Sequence, residues 1–113
     1  MKKVSDKQRK ISKRILKAYR EIALERGHYC TGCGRSGDVV LSHSHIIPRS
    51  RRADLSYDKR NITYHCLSFG ERKGCHEIWE SRDKDKLLDY HKNLEYILLV
   101  DTEYYFLITE LNA

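Results

Sequence analysis

Apolar side chains recur at helical spacing near the start of the chain, where Ile11, Ile15, Ala18, Tyr19 and Ile22 lie three or four residues apart. That spacing puts them on one stripe of a helix. Ser5 followed by Gln8 fits a capping box and Gly27 offers a stop, so the pattern predicts an amphipathic helix over 6–26. From His28 to Gly37 the chain reads HYCTGCGRSG, with no period and two cysteines followed by glycine, which predicts a knuckle. DVVLS at 38–42 and ITYHC at 62–66 are β-prone, and the polar, arginine-rich segment between them holds the single proline. Two short antiparallel strands joined by a long loop are expected. From Cys75 the helical period returns with Ile78 and Trp79, then Leu87, Leu88, His91, Leu94, Ile97 and Leu98. The closing DTEYYFLITELNA fits a last helix, but Tyr104, Phe106 and Ile108 would equally suit a strand.

At 113 residues with no repeat or low-complexity linker, the chain is expected to form a single domain over 1–113. Its parts would be a basic helix (1–27), a central core (28–82) and a C-terminal helical cover (83–113), which makes the fold class α+β. Charged residues are 34% of the chain, so the apolar core is small and a metal staple would help it fold. The N-terminus lacks the apolar run of a signal peptide, and no stretch reaches membrane-spanning length. The expectation is therefore no membrane association, a cytoplasmic setting and reduced thiols. Charge is uneven: residues 1–20 carry nine Lys/Arg against one acid, and residues 77–113 carry four against nine. Lys10, Lys13 and Lys17 in the basic end are candidates for contacting a polyanion such as DNA, by counterion release.

The four cysteines are Cys30, Cys33, Cys66 and Cys75. C-x2-C spacing lets a tight turn bring Cys30 and Cys33 to one side of a tetrahedral ion. Eight residues separate Cys66 from Cys75, so LSFGERKG must loop out and return for all four to share it. A structural zinc held by all four is the expected arrangement, with a site that borrows His65 or His28, or no zinc at all, as the alternatives.

Between the cysteine pairs lies LSHSHIIPRSRR, followed by Asn61 and by Cys75-His76. Hydrolysing a phosphodiester needs a base for water, a cation for the charge growing on phosphate and a partner that holds the base in one tautomer. Histidine suits the first task near neutral pH. Arg49, Arg51 and Arg52 are placed to clamp a phosphate backbone.

HIIPRS, Asn61 and Cys75-His76, in that order and flanked by cysteines, resemble the zinc-bound HNH endonucleases over residues 28–82. The resemblance implies a small ββα-metal core with a structural zinc knuckle, flanked here by the basic helix and C-terminal helices. It implies a catalytic divalent metal (Mg2+, Mn2+, Ni2+ or Zn2+), His45 as general base, His76 as ligand to that metal, and Asn61 orienting the base or touching the metal. It further implies nicking of DNA. A chain this small suggests a phage-type or mobile-element protein, in the host cytoplasm if phage-encoded, acting on DNA structure or alongside packaging or recombination proteins.

Where that family commonly has Asp or His before the base, this chain has Ser44, a poor ligand for a hard dication. Two repairs stay open. His43 supplies the missing ligand with His45 as base, or SHSH mirrors the DHDH stretch of junction-resolving phage enzymes, with His43 as base. Ser44 also keeps open a rival function, a catalytically inactive zinc-stabilised nucleic-acid-binding module. A structural protein with an acidic partner would use the basic helix and leave the histidines unexplained. His28, His65 and His91 are expected to be structural, and Trp79 and most tyrosines to be core.

Overall fold

In the computed structural model, which describes residues 5–81 and 86–111, helix α1 (Asp6–Glu25) starts where the Ser5 hydroxyl accepts the Gln8 N–H at 3.2 Å. This satisfies one of the donors that a helix start leaves orphaned. Ile15, Ala18 and Ile22 are its buried stripe. Ala18 and Ile22 pack on Ile62 and Tyr64, with Tyr19 and Leu41 at the edge. Fully burying an isoleucine contributes about 1.5–3 kcal/mol, so packing rather than helix propensity holds α1 in place.

Strands β1 (Leu41–His45) and β2 (Ile62–Cys66) form a two-stranded antiparallel sheet, with His43 opposite Tyr64 and His45 opposite Ile62. The first strand begins three residues later than the 38–42 segment expected from its β-prone residues. β2 is pinned from its outer side, where the Thr31 N–H donates to the Tyr64 carbonyl at 2.9 Å, and its register selects Leu41–His45 as partner. Residues 37–39 bend instead, after Gly37 at φ 78°. The SHSH run therefore lies inside the strand, with Ser42 and Ser44 on one face and His43 on the face that meets α1.

The connection from β1 to β2 is long, as expected, and is organised by polar contacts. Asn61 is fully buried. Its Oδ1 accepts the Ile47 N–H at 2.7 Å, and its Nδ2 donates to the carbonyls of Ile47 and Leu55, each at 3.1 Å. Arg51 and Arg52 reach the Asp101 carboxylate, each at 3.3 Å, and tie the loop to the C-terminal helices.

Those helices are α2 (Cys75–Glu80), α3 (Tyr90–Val100) and α4 (Thr102–Leu111). The boundary expected between 82 and 83 lies outside the described residues. The ambiguous closing run is helical: Asp101 Oδ1 accepts the Tyr104 N–H at 3.1 Å, and Tyr104 and Ile108, four apart, are both buried. Trp79 is buried in α2 and donates its indole N–H to the Ile46 carbonyl at 3.2 Å, so α2 is fastened to the end of β1. The main core gathers Ile46, Ile47, Ile78, Trp79, Leu87, Tyr90, Ile97, Tyr104 and Ile108 with three of the cysteines. The fold is mixed α+β, and no described helix is long and apolar enough to cross a membrane.

Asp101 carries a testable consequence. Burial raises its carboxyl pKa, but the hydrogen bonds from Arg51, the Tyr104 N–H and Arg52 outweigh this and hold it below the usual range. A depressed folded pKa contributes stability above the unfolded value of about 3.9, and that contribution is lost as pH falls through the folded value. Asp101→Asn keeps a helix-capping side chain and removes the charge. It is expected to cost about 1–3 kcal/mol at pH 7, with the gap to wild type closing below about pH 4, as read from urea unfolding across pH.

Candidate functional site

The knuckle turns at Gly34 (φ 81°), where the Gly34 N–H donates to the Cys30 carbonyl at 2.8 Å. Cys30 and Cys33 thereby face the end of β2 and the start of α2, which carry Cys66 and Cys75. The four Sγ atoms lie within 4.8 Å of one another, and those of Cys33 and Cys66 are 3.9 Å apart. Tetrahedral ligation at a metal–sulfur distance of 2.3 Å places sulfurs about 3.8 Å apart, so the four thiols fit a metal ion such as zinc. Two glycines make the convergence possible. A Cβ on Gly32 would collide with the Cys75 side chain, and one on Gly74 with the backbone of 66–68.

The thiols are unequal. Burial raises the Cys66 thiol, but the Cys75 N–H, the Arg72 guanidinium and neighbouring thiols outweigh it and bring it to about 6. Cys75 is pushed well up by burial and by the nearby Cys30 and Cys66. Four thiolates this close repel one another unless a cation sits among them.

A separate cleft of about 490 Å3 is lined by His43, Ser44, His45, Pro48, Arg49, His76, Trp79, Glu80 and Tyr104. Chain separation between these residues is bridged by the β1–α2 packing through Trp79. His45 Nε2 lies 2.9 Å from the Ser56 carbonyl. A carbonyl only accepts, so Nε2 carries the proton and Nδ1 is left with its lone pair. Desolvation lowers the His45 pKa, the Ser56 carbonyl partly offsets that, and Arg49 and His76 lower it further; a neutral imidazole is favoured at pH 7.

His76, in the first turn of α2, has Nδ1 3.0 Å from Ser42 Oγ and Nε2 3.1 Å from Glu80 Oε1. Neighbouring ligands of an octahedral ion bound at about 2.1 Å are about 3 Å apart. The His76 and Glu80 atoms form an i,i+4 ion pair whose separation is also that of adjacent ligands on one cation.

The expected site residues distribute as follows. His43, His45 and His76 all line the cleft. His43 lies flat against Tyr19, ring centroids 3.7 Å apart at 11°, and desolvation followed by the charges of His45 and His28 lowers its pKa. Ser44 is almost fully buried. Asn61 is fully buried and does not line the cleft: its amide bonds to Ile47 and Leu55, so it shapes the turn that follows His45.

Arg51 and Arg52 are likewise committed, to Asp101 and, for Arg52, to Asp54 at 2.8 Å. A phosphate would have to displace carboxylates from them. Arg49 is exposed on the cleft rim and has no ion pair among the described residues. Lys10 and Lys13 are exposed on α1, while Lys17 sits 4.0 Å from Glu21. The Tyr19–His43 stack makes α1 the neighbour of the cleft.

His65 is fully buried and bonded to Asp89 at 2.8 Å, outside the cleft. His28 meets the Tyr64 ring edge-on, and His91 is exposed on α3 against Tyr90. Glu80, Ser42 and Ser56 were not singled out from the sequence. Only Glu80 carried a legible signal, its i,i+4 spacing from His76 on a helix expected to open there. Compared with known proteins, the chain matches no family model, no curated protein and no solved structure.

If all four thiols share one ion, Cys30→Ser and Cys75→Ser should each release metal and lower the melting temperature together, because a structural metal contributes folding free energy directly. Metal content by mass spectrometry and thermal unfolding, with and without chelator, check this; retained metal and unchanged melting in both variants would reject the shared site.

Proposed function

We propose that this protein is a metal-dependent endonuclease of the HNH type that nicks DNA, with a zinc ion in the four-cysteine cluster and a divalent cation at the cleft. The observation that carries the reading is His45, a histidine with its Nε2 proton held by a backbone carbonyl and its Nδ1 free, on the same cleft as the His76–Glu80 pair. A base needs that combination of fixed tautomer and low pKa. The strand-strand-helix arrangement of β1, β2 and α2 supports a ββα-metal core, and the exposed basic face of α1 beside the cleft supports a nucleic-acid substrate.

In this reading His45 Nδ1 takes a proton from the attacking water. The new P–O bond forms as the opposite ester P–O bond breaks, and the leaving oxygen takes its proton from solvent. Asn61 holds the turn from which His45 is presented. Arg49 meets a phosphate of the bound strand, where its planar guanidinium matches the oxygens. His76 and Glu80 would hold the cation. Such a cation supplies electrostatic stabilisation of the charge that develops on phosphate and leaving oxygen.

Ser44 favours a second reading. A buried neutral hydroxyl stands where related nucleases commonly place an acid or histidine, which suits a binding module without catalysis. Supercoiled plasmid with Mg2+, Mn2+, Ni2+ or Zn2+ separates the two readings: cleavage supports the nuclease, and salt-sensitive binding with no nicking under any metal supports the module. His45→Ala should lower nicking about 10²–10⁴-fold with the fold and zinc content intact; full activity would dismiss His45 as base. Arg49→Ala should weaken DNA binding and reduce the slope of log affinity against log salt by about 1, measured by fluorescence anisotropy.

A further inference from the structure

We infer that Ser42 is a positioning residue that sets the tautomer of His76 and thereby aims the Nε2 lone pair of His76 at a divalent cation in the cleft. The inference deepens the nuclease reading and takes from it the kind of ion bound.

Ser42 and His65 face each other across the sheet, and Ser42 Oγ lies 2.8 Å from the His65 carbonyl oxygen. Two oxygens that close repel unless a hydrogen lies between them. The carbonyl has none, so the single hydroxyl hydrogen of Ser42 is spent there. The same Oγ is 3.0 Å from His76 Nδ1. This second contact also needs a hydrogen, and the one remaining is on Nδ1. His76 therefore donates from Nδ1 to Ser42, and the neutral ring carries its lone pair on Nε2.

That nitrogen is the atom 3.1 Å from Glu80 Oε1. A lone pair beside a carboxylate oxygen is matched by a cation shared between them: a proton, which makes the ring an imidazolium paired with Glu80, or the divalent ion of the nuclease reading, for which the two atoms are then adjacent ligands. The competing arrangement is internal. With its proton on Nε2, the ring would donate to Glu80 and occupy both ligand atoms with each other. Ser42 disfavours that closed arrangement by holding the proton on the far nitrogen. Groups behind a metal-bound histidine commonly act in this way, and their loss costs about 10–100-fold in metal affinity. Ser42 is half-buried on a strand of fixed register, and its acceptor is a backbone carbonyl of the paired strand, so the hydroxyl has little freedom to serve otherwise.

The test uses the full chain with its cysteine-bound metal retained and no other divalent ion. Long-range 1H–15N NMR at pH 8 reads the protonated nitrogen of His76 directly. Wild type is expected to show Nδ1–H, and Ser42→Ala to shift the population toward Nε2–H. Mn2+ titration followed by electron paramagnetic resonance is expected to show about 10–100-fold weaker binding in Ser42→Ala and near-wild-type binding in Ser42→Thr, which keeps the hydroxyl and suits a strand. Nε2–H in the wild type overturns the inference whether or not the variants fold, and so does a wild type that binds no Mn2+. An unchanged tautomer and affinity in Ser42→Ala overturn it as well. A wild type that shows the Nδ1–H tautomer and serine-dependent Mn2+ binding but cleaves no DNA upholds Ser42 and dismisses the nuclease reading alone.

Discussion

Four sulfurs that converge from three parts of the chain decide where everything else in this protein goes. Cys30 and Cys33 come from the knuckle, Cys66 ends β2 and Cys75 begins α2. Bringing these together fixes the end of the sheet against the start of the helix that carries His76. The intervening segment must leave and return within eight residues, and Gly74 is where it passes against the backbone of 66–68. A chain with 34% charged residues has limited apolar surface to bury, and a metal ion held by this cluster would stabilise folding where a larger hydrophobic core would otherwise be needed.

The second constraint is polar and acts on the long loop. Asn61, with three hydrogen bonds to the backbone of 47 and 55, substitutes for the ladder that the loop lacks. Arg51 and Arg52 then close the loop onto Asp101, which also caps α4. These side chains belong to residue types that elsewhere contact substrate, and here they are spent on holding the backbone that presents His45. Buried polar groups left without partners are costly, so each such commitment is also a statement about what the residue is not free to do. Arg49, which takes no part in this web, keeps its charge available at the cleft rim.

The cleft itself depends on both constraints. The cysteine cluster delivers His76 and Glu80 on α2, the loop web delivers His45, and Trp79 joins the two through the Ile46 carbonyl. The protons on its ring nitrogens are then assigned by neighbours far away in sequence: Ser56 for His45, Ser42 for His76. In each case an oxygen acceptor takes one ring N–H and leaves the lone pair on the other nitrogen.

By itself the amino-acid sequence determined the helices, β2, the cysteine framework and the set of histidines that share the cleft, because each rests on local spacing: 3.6-residue periodicity in α1, the C-x2-C turn, the Cys75-His76 pair. It misjudged β1 and left the closing run open, because local β propensity favours DVVLS and cannot report that β2 selects its partner by register, or that a buried Asp101 caps a last helix. It listed Asn61, Arg51 and Arg52 among the site residues by type and order, whereas their partners at Ile47, Leu55 and Asp101 are set by packing. It did not single out Ser42, Ser56 or Glu80, whose importance comes from which atom lies within 3 Å or so of which ring nitrogen. Such contacts join residues up to 34 apart, and only the folded chain, closed by its cysteines and its loop web, brings them into reach.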